Sequence, residues 1–267
     1  MLWEVFALRY GTQTRTERMN FIGASDPHDL PMPLDFFIWL LRSRDREIVV
    51  DTGFQGEGEL TRGRSILRPV GAALEAFGTK PTSVKDVIIT HLHYDHAGNL
   101  DLFPNAKFHL QDREMAFATG RHMCAACIRH TFDLEDVLRM VRAVYAERVI
   151  FHNGDGEIAQ GVTVHHVGGH TDGLQMVRVE TARGPVVLAS DASHFYANIE
   201  RSLPFPIVFN VGDVVQGWSH ALRLADNDAT RIVPGHDPAV RSLYPAAPGS
   251  EGETVLLHVP PAAQRTS

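Results

Sequence analysis

The chain has 267 residues, of which 44% are hydrophobic and 21% charged, and its formal net charge at pH 7 is -7 with histidine neutral. This balance is typical of a globular protein with a sizeable core, and the acidic charge argues against nucleic acid or an anionic membrane as a partner. No stretch approaches the ~18 consecutive apolar residues of a membrane span, and the N-terminal MLWEVFALRYG predicts a first strand, not a signal peptide, so we expect a cytoplasmic protein.

Short apolar or β-branched segments bounded by Gly, Pro or Asp predict nine strands. In chain order they cover residues 3–9, 36–42, 47–51, 86–90, 106–110, 161–167, 174–180, 185–190 and 230–233. Helices are predicted at 67–77, 112–118, 134–147 and 213–224, and VETARGPVV predicts a hairpin that turns at Arg183-Gly184. Strands outnumber helices and mostly come in pairs, which favours two mixed sheets packed face to face with helices outside, an αββα layering.

No internal repeat or linker divides the chain, so we predict one domain over residues 1–267. Residues 10–35 and 119–132 are predicted as long loops. Loops of that length are uncommon in compact domains and often form lids or binding surfaces. The only two cysteines, Cys124 and Cys127, form a CxxC without a surrounding βαβ unit, which predicts a structural role and no disulfide framework.

Four coordinating side chains crowd into the segment THLHYDHAGN, which begins at the end of the strand predicted at 86–90. His91 and His93 would point to the same side of an extended chain, and Asp95 and His96 follow in the turn. The rigid strand end thus delivers two pairs of ligands. This spacing suits two metal ions side by side better than one.

Three more candidate ligands occur in the same context, each just past a predicted strand: His170 in VGGHTDG, Asp191 in LASDASH and His236 in IVPGHDP. Two of them have neighbouring glycines, which let the backbone approach a crowded site closely. Together with the THLHYDHAGN cluster they make five histidines and two aspartates. These are the ligand types that a borderline cation such as zinc prefers.

This set of motifs resembles the metallo-β-lactamase superfamily, whose pattern is HxHxDH followed by a distant His, a bridging Asp and a last His. The resemblance extends from about Phe36 to Pro238. It implies an α+β protein with the metallo-β-lactamase fold, a four-layer αββα sandwich of two mixed sheets with outer helices. The site would lie at one edge of the sandwich.

The resemblance also implies the role of each ligand. One metal would be bound by His91, His93 and His170. The other would be bound by Asp95, His96 and His236, and Asp191 would bridge the two. Asp51, in VVDTG, matches the family's first motif and is expected to brace the metal-binding loop.

Two divalent metal ions per chain, with zinc expected, suit a hydrolase. Cations about 3.5–4 Å apart can share a water and lower its pKa towards 7. The resulting metal-bridging hydroxide would attack a carbonyl or phosphoryl centre, and Asp95 would accept the released proton and pass it to the leaving group. No serine or cysteine nucleophile is needed.

The closest resemblance within the superfamily is to the N-acyl homoserine lactonase branch, known for quorum quenching. HLHYDHAGNL and FPNAKFHLQDREM are similar to its first site region, and GGHTDG and SDASHFYANIE to its later ones. His93 stands where flavodiiron-type members have glutamate, and Asp191 where the common zinc β-lactamases have cysteine. The expected substrate is therefore a small molecule, a lactone of the N-acyl homoserine or a catabolic kind.

The lactonase branch has a tyrosine three residues after the bridging aspartate, where this chain has His194. We predict that His194 hydrogen-bonds the substrate carbonyl or the developing oxyanion and is not a metal ligand. Tyr196, two residues on, is a further candidate for substrate binding. Met19 and Phe21, with neighbouring apolar residues of the segment 10–35, are predicted to line an acyl-chain pocket or lid.

Other functions stay open from the sequence. The His194 departure keeps hydrolysis of another ester or a cyclic amide as an alternative. A redox or sulfur-handling member with a single iron is expected to lack the bridged pair, and a non-catalytic scaffold would show degenerate ligands. The sequence also permits a homodimer.

Overall fold

The computed structural model of the chain describes residues 1–23, 29–55 and 63–262. Within these ranges the strands are β1 (Glu4–Gln13), β2 (Leu34–Arg42), β3 (Glu47–Val50), β4 (Arg64–Ile66), β5 (Asp86–Ile88), β6 (Lys107–Gln111), β7 (Val149–His152), β8 (Gly156–Ala159), β9 (Val162–His166), β10 (Gln175–Thr181), β11 (Gly184–Ser190), β12 (Ile232–Pro234) and β13 (Thr254–Leu256). The α-helices are α1 (Val70–Ala76), α2 (Tyr94–Ala97), α3 (Asp112–Thr119), α4 (Ala126–Arg129), α5 (Leu134–Tyr145), α6 (Tyr196–Arg201), α7 (Val211–Leu224) and α8 (Ala239–Leu243). Short 3-10 helices cover Glu17–Asn20, Pro81–Ser83, Leu100–Leu102, Arg121–Cys124 and Ala229–Arg231.

All nine predicted strands and all four predicted helices are present, with shifted ends. The strands β4, β7, β8 and β13 were not predicted, because they are only three or four residues long and mix polar with apolar residues. The predicted hairpin joins β10 to β11, but Thr181 pairs with Gly184, so the turn residues are Ala182 and Arg183, one position earlier than predicted.

The strands form two mixed sheets. The larger sheet has the order β13-β1-β2-β3-β5-β6-β7, with β4 paired to β1. Its strands β3, β5, β6 and β7 run parallel, and its other pairs are antiparallel. The smaller sheet has the order β12-β11-β10-β9-β8, in which only β11 and β12 run parallel.

The side chains of β2 alternate between the two faces of the larger sheet and show how one strand contributes to two layers of the core. Successive side chains of a strand point to opposite faces, and every residue from Leu34 to Leu41 is buried. Phe37, Trp39 and Leu41 join a core shared with valines of the smaller sheet. Phe36 and Ile38 face a second core under helices α1, α3 and α5. A third cluster packs the smaller sheet against α7. The predicted αββα sandwich is confirmed.

The two segments predicted as long loops are more ordered than expected. Residues 10–13 belong to β1 and residues 34–35 to β2, and a 3-10 helix occupies Glu17–Asn20 between them. Residues 24–28 of this segment lie outside the described ranges. The segment 119–132 was predicted wrongly as a loop, since it contains the end of α3, a 3-10 helix and α4. Each of these helical segments is too short to show the helical repeat of apolar residues from which a helix is predicted.

The described residues include no helix long and apolar enough to cross a membrane.

Candidate dinuclear metal site

The predicted site residues follow the ends of five strands and lie close together. Asp51 follows β3 directly, and the HxHxDH segment follows β5 after two residues. His170 follows β9, while Asp191 and His236 follow β11 and β12. The predicted close approach of a glycine backbone to the site occurs at Gly235. A Cβ atom added there would lie only 2.8 Å from Asp191 Oδ1.

The first group of ligand atoms lies around one oxygen of Asp191. His170 Nε2 is 3.0 Å from Asp191 Oδ2, and His91 Nε2 is 3.8 Å from the same oxygen. His93 Nδ1 lies 2.9 Å from His170 Nε2. These four side chains are buried and place their ligand atoms close enough together to hold one ion.

The second group lies around the other oxygen of Asp191. His236 Nε2 is 2.9 Å and His96 Nε2 is 3.4 Å from Asp191 Oδ1. Both imidazole nitrogens are also 3.9 Å from Asp95 Oδ2. Each oxygen of Asp191 therefore faces a different set of ligands, which is the geometry of a bridging carboxylate.

The donor set fits divalent cations. His91 Nε2, His96 Nε2 and Asp191 Oδ1 are buried without a hydrogen-bond partner among the described residues. A buried polar atom without a partner costs free energy, and all three atoms face the cluster. Metal ions in the two groups would satisfy them, and nitrogen and carboxylate donors suit zinc-like ions.

The electrostatics of the cluster favour the metal-binding forms of His91, His93 and Asp191. Burial lowers the pKa of His91 and of His93 well below the usual value, which keeps both imidazoles neutral. Burial opposes the charge of Asp191, but the surrounding imidazoles, His194 and His236 foremost, hold its pKa well below the ordinary range. Burial also opposes a charge on His96, yet the carboxylates of Asp191, Asp51 and Asp95 raise its pKa well above normal. A metal cation would take the place of that proton.

Asp51 contacts the imidazole of His96 on the side that faces away from the other ligands. Its carboxylate accepts hydrogen bonds from Thr90 N at 2.7 Å and Thr90 Oγ1 at 2.8 Å. His96 Nδ1 lies 2.7 Å from Asp51 Oδ2, so the imidazole donates there and leaves Nε2 for a metal. Asp51 itself adopts a left-handed φ of 60°, an uncommon conformation that aspartate tolerates better than most residues.

In three other imidazoles, the ring nitrogen on the side away from the cluster also lies within hydrogen-bond distance of an oxygen atom. His170 Nδ1 lies 2.7 Å from the carbonyl oxygen of Ile207, and His236 Nδ1 lies 3.1 Å from that of Asp35. His93 Nε2 lies 2.8 Å from Thr131 Oγ1. Sequence reasoning missed these partners. Two of them are backbone oxygens, for which no residue type gives a signal.

Glu114 is a buried residue that sequence reasoning also missed. Its Oε1 accepts from Leu92 N at 2.8 Å, inside the HxHxDH segment. Its Oε2 accepts from Thr171 Oγ1 at 2.6 Å and Gly173 N at 3.1 Å, next to His170. One carboxylate thus joins two ligand loops. An acid in the first turn of α3 is an ordinary feature of a helix N-terminus, so nothing in the sequence distinguished it.

Replacing Glu114 with glutamine should destabilise the fold and weaken metal binding. The substitution keeps the size of the side chain but points an amide N–H₂ at buried donors, and an unmatched buried donor costs about 1–3 kcal/mol. Thermal unfolding and metal titration should both show the loss. Glu135→Gln is the matched control, because Glu135 is an exposed acid in the first turn of α5. Equal unfolding temperatures for the two variants would contradict the bracing role.

His194 lies at the metal cluster, as its sequence position suggested. Its Nε2 is 3.1 Å from Asp191 Oδ2, and its ring stacks on Phe205 with centroids 3.7 Å apart and planes at 7°. Burial lowers the pKa of His194 to about 3, so the imidazole is neutral near pH 7. With Asp191 and His236 it also forms a third group that could hold an ion.

The other predicted substrate contacts lie elsewhere. Tyr196 is buried in the core between the two sheets. Phe21 is buried under Arg201, whose guanidinium carbon is 5.2 Å from the ring centroid. Met19 is 47% exposed at the surface. None of the three lines any of the three cavities beside the cluster in the described part of the chain. Apolar character alone does not distinguish a pocket wall from a core.

Three cavities in the described part of the chain adjoin the cluster, and one of them is a small space next to His194 that is lined by Ala192, Ser193, Asn198, Val214 and Trp218. The metal cavity is lined by the ligands His93, Asp95, His170, Asp191 and His236 together with Arg15, Leu34, Phe36, Arg64, Tyr94, Thr131, His194, Phe205 and Ile207. The apolar cavity has a volume of about 310 Å³ and is lined mainly by Phe117, Ile128, Pro206, Ile207, Val208 and Phe209. The metal cavity and the apolar cavity both include His93, Thr131, His170 and Ile207. The segments 10–35 and 119–132 each contribute to these walls.

Comparison with known proteins agrees with this geometry. The family model described as the metallo-beta-lactamase superfamily matches residues 37–236. The chain is 31% identical over 181 residues to N-acyl homoserine lactonase AttM of Azorhizobium caulinodans, covering 67% of each chain. It is 30% identical over 190 residues to an N-acyl homoserine lactonase of Bacillus sp, covering 64% of this chain and 70% of that one.

A solved structure with a similar fold is that of an N-acyl homoserine lactone hydrolase with the product N-hexanoyl-L-homoserine bound at its catalytic metal center. Its TM-score is 0.74 at 22% sequence identity, and the match covers 90% of this chain and 96% of that one. At this identity the likeness concerns the fold.

Proposed function

The chain belongs to the metallo-β-lactamase superfamily, and from that premise we propose that it is a metal-dependent hydrolase that opens lactones. The observation that carries the proposal is the pair of ligand groups sharing Asp191, set beside an apolar cavity of about 310 Å³. Such a site suits a carbonyl centre that bears an apolar substituent. The named activity of the two bacterial relatives supports the same substrate class.

We propose two zinc ions as the resident metals. Five histidine nitrogens and two aspartates form the donor set, and zinc accepts both ligand types. Two such ions supply Lewis acidity and lower the pKa of bound water towards 7. His91, His93 and His170 would hold the first ion, and Asp95, His96 and His236 the second, with Asp191 between them.

Asp95 is the residue that we propose to move the proton. It lines the metal cavity, and its side chain is 12% exposed, compared with 3% for Asp191. It is therefore the ligand carboxylate more open to the cavity. In hydrolysis a C–O bond forms from water and the ester C–O bond breaks. Asp95 would accept the proton of the attacking water and return it to the leaving alkoxide, so that the ring opens to a hydroxy acid.

His194 is the residue that we propose to contact the substrate carbonyl. Its neutral ring offers one N–H, and the stack on Phe205 fixes the plane of the imidazole. A donor held in place before the reaction stabilises a developing oxyanion without reorganisation.

We also propose a cytoplasmic location. Its support is that Cys124 and Cys127, separated by two residues, are both exposed and free, a state that a reducing compartment maintains.

A substrate screen tests the proposed function. Metal-loaded protein should turn over lactones and simple esters faster than a thioester, a phosphodiester or a β-lactam, because the apolar cavity and a single carbonyl donor suit a carboxylic ester. Initial rates across matched concentrations give the comparison, with protein treated with a chelator as control. Phosphodiester, thioester or amide turnover well above every lactone and ester would contradict the assignment. One iron per chain with oxidation of a persulfide would favour the redox alternative.

A further inference from the structure

A network of four charged side chains lies next to the metal ligand His236. Arg9 Nη2 is 2.8 Å from one carboxylate oxygen of Asp35, and Arg241 Nη1 is 3.6 Å from the other. Glu253 contacts the same two arginines, with Arg241 Nη2 3.1 Å from its Oε1 and Arg9 Nη1 3.4 Å from its Oε2. Two carboxylates and two guanidinium groups therefore alternate around a closed ion-pair network, and their formal charges balance.

Asp35 connects this ion-pair network to His236 through its backbone. His236 Nδ1 donates to the carbonyl oxygen of Asp35 at 3.1 Å, and Asp35 N donates to the carbonyl oxygen of His236 at 3.0 Å. Asp35 is the second residue of β2, close to a bulge in β1 between Arg9 and Gly11. A bulge locally disrupts strand pairing. The position of the Asp35 carbonyl, and with it the orientation of the imidazole, therefore depends on what holds the Asp35 side chain.

The ion-pair network also holds the segment that follows His236. Arg241 belongs to α8, which begins three residues after His236. Its Nε donates to the carbonyl oxygen of Gly252 at 3.0 Å. The network thus fixes β2 on one side of the ligand and α8 on the other. All four of its members lie outside residues 37–236, the span that the family model matches.

The members of the ion-pair network are largely shielded from solvent. The side chain of Asp35 is only 3% exposed, and none of the other three is more than 31% exposed. Partly buried ion pairs are screened by salt much less than exposed ones. Removing one partner of such a pair is costly, because the remaining charge loses its compensation.

Other residues support the first ligand group. His93 Nε2 lies 2.8 Å from Thr131 Oγ1, and His170 Nδ1 lies 2.7 Å from the carbonyl oxygen of Ile207. The ion-pair network contacts the second group, through His236. A change in the network should therefore affect the two metal ions unequally.

We propose that the ion-pair network positions His236 and thereby sets the affinity for the second metal ion, the one that Asp95, His96 and His236 would hold. This inference rests on the two metal ions of the proposed function. The four members are positioning residues, which act through His236 and do not touch the substrate. Loss of the outer partners that orient a metal-binding histidine typically costs about 10–100-fold in metal affinity.

Chelator competition on the zinc-loaded protein tests the proposal. Arg241→Gln removes one charge from a side chain that is 28% exposed, so the fold should survive. Asp35→Asn removes the carboxylate but keeps the backbone carbonyl that faces His236. We expect each variant to bind the second ion about tenfold or more weakly and the first ion as the wild type does. The binding step that His236→Gln loses identifies the second ion.

Arg42→Gln is the matched control. Arg42 is also 28% exposed and pairs with Glu47 at 2.8 Å, but it lies at the opposite end of β2. Its loss should leave both zinc affinities unchanged, even where thermal unfolding shows lower stability. Arg241→Lys keeps the charge and should restore part of the affinity for the second ion, which separates positioning of the ligand from general destabilisation.

Wild-type affinity for the second ion in both Arg241→Gln and Asp35→Asn overturns the proposal. Equal weakening of both ions overturns it too, because that result indicates a merely structural role. Hydrolysis is not measured in this experiment, so failure of the lactonase assignment does not affect it.

If the wild type binds one zinc ion or fewer, the dinuclear site of the proposed function fails. The positioning of His236 is then decided by NMR of its Nδ1–H proton in the metal-free protein. Faster exchange of this proton with solvent in Arg241→Gln than in Arg42→Gln supports the proposal, and equal exchange overturns it.

Discussion

Asp191→Ala should remove at least one metal ion per chain and nearly all hydrolysis. The two carboxylate oxygens face different ligand groups, with His170 Nε2 3.0 Å from one and His236 Nε2 2.9 Å from the other. Alanine removes a donor from both groups at once. Metal Lewis acidity is worth several kcal/mol in the transition state. Since each 1.36 kcal/mol is tenfold in rate, we expect kcat to fall by at least about 10³.

Elemental analysis of protein purified without chelator gives the stoichiometry, with two ions expected for the wild type. Asp172→Ala is the control, because Asp172 lies close to His170 in sequence but pairs with the exposed Arg113. That surface ion pair should be worth little, so metal content should not change. A wild-type stoichiometry of one or less after metal is added back would contradict the dinuclear site. Two tightly bound ions in Asp191→Ala would contradict the bridge.

His194→Ala should keep both metals and lower turnover by about 10²–10³, the usual cost of one oxyanion donor. His194 borders the metal cavity, its ring is fixed on Phe205 and its imidazole is neutral. Those features suit a hydrogen-bond donor to the carbonyl. Steady-state kinetics on the best lactone, with metal analysis of the same sample, measures both properties.

The metal content of His194→Ala distinguishes the two roles that its position allows. Loss of an ion would make His194 a ligand, in keeping with its group with Asp191 and His236. Wild-type turnover with both ions bound would remove it from the mechanism. His194→Gln and His194→Tyr each restore a donor and should recover part of the rate. His122→Ala is the control, because the His122 ring packs on Phe117 and Phe209 and lines none of the three cavities.

The sequence by itself predicted the family, the layers and the ligand types. The family match over residues 37–236 confirms the resemblance, which was placed at about Phe36 to Pro238. Strands such as β2 could be predicted because their apolar residues are continuous and bounded by turn residues. HxHxDH could be interpreted because its members are near neighbours in the chain, so their proximity does not depend on the fold.

Only the tertiary structure decided the rest, because it depends on contacts between segments far apart in the chain. Glu114 looks like an ordinary acid at a helix start, and only packing shows that it joins Leu92 to Thr171. Phe21 and Tyr196 look suitable for a pocket, yet both are buried away from the cavities. Arg9 and Glu253 are 244 positions apart in the sequence and gave no motif. The pairing of β1 with β13 places them together, and a period along one strand cannot reveal which distant strand it pairs with.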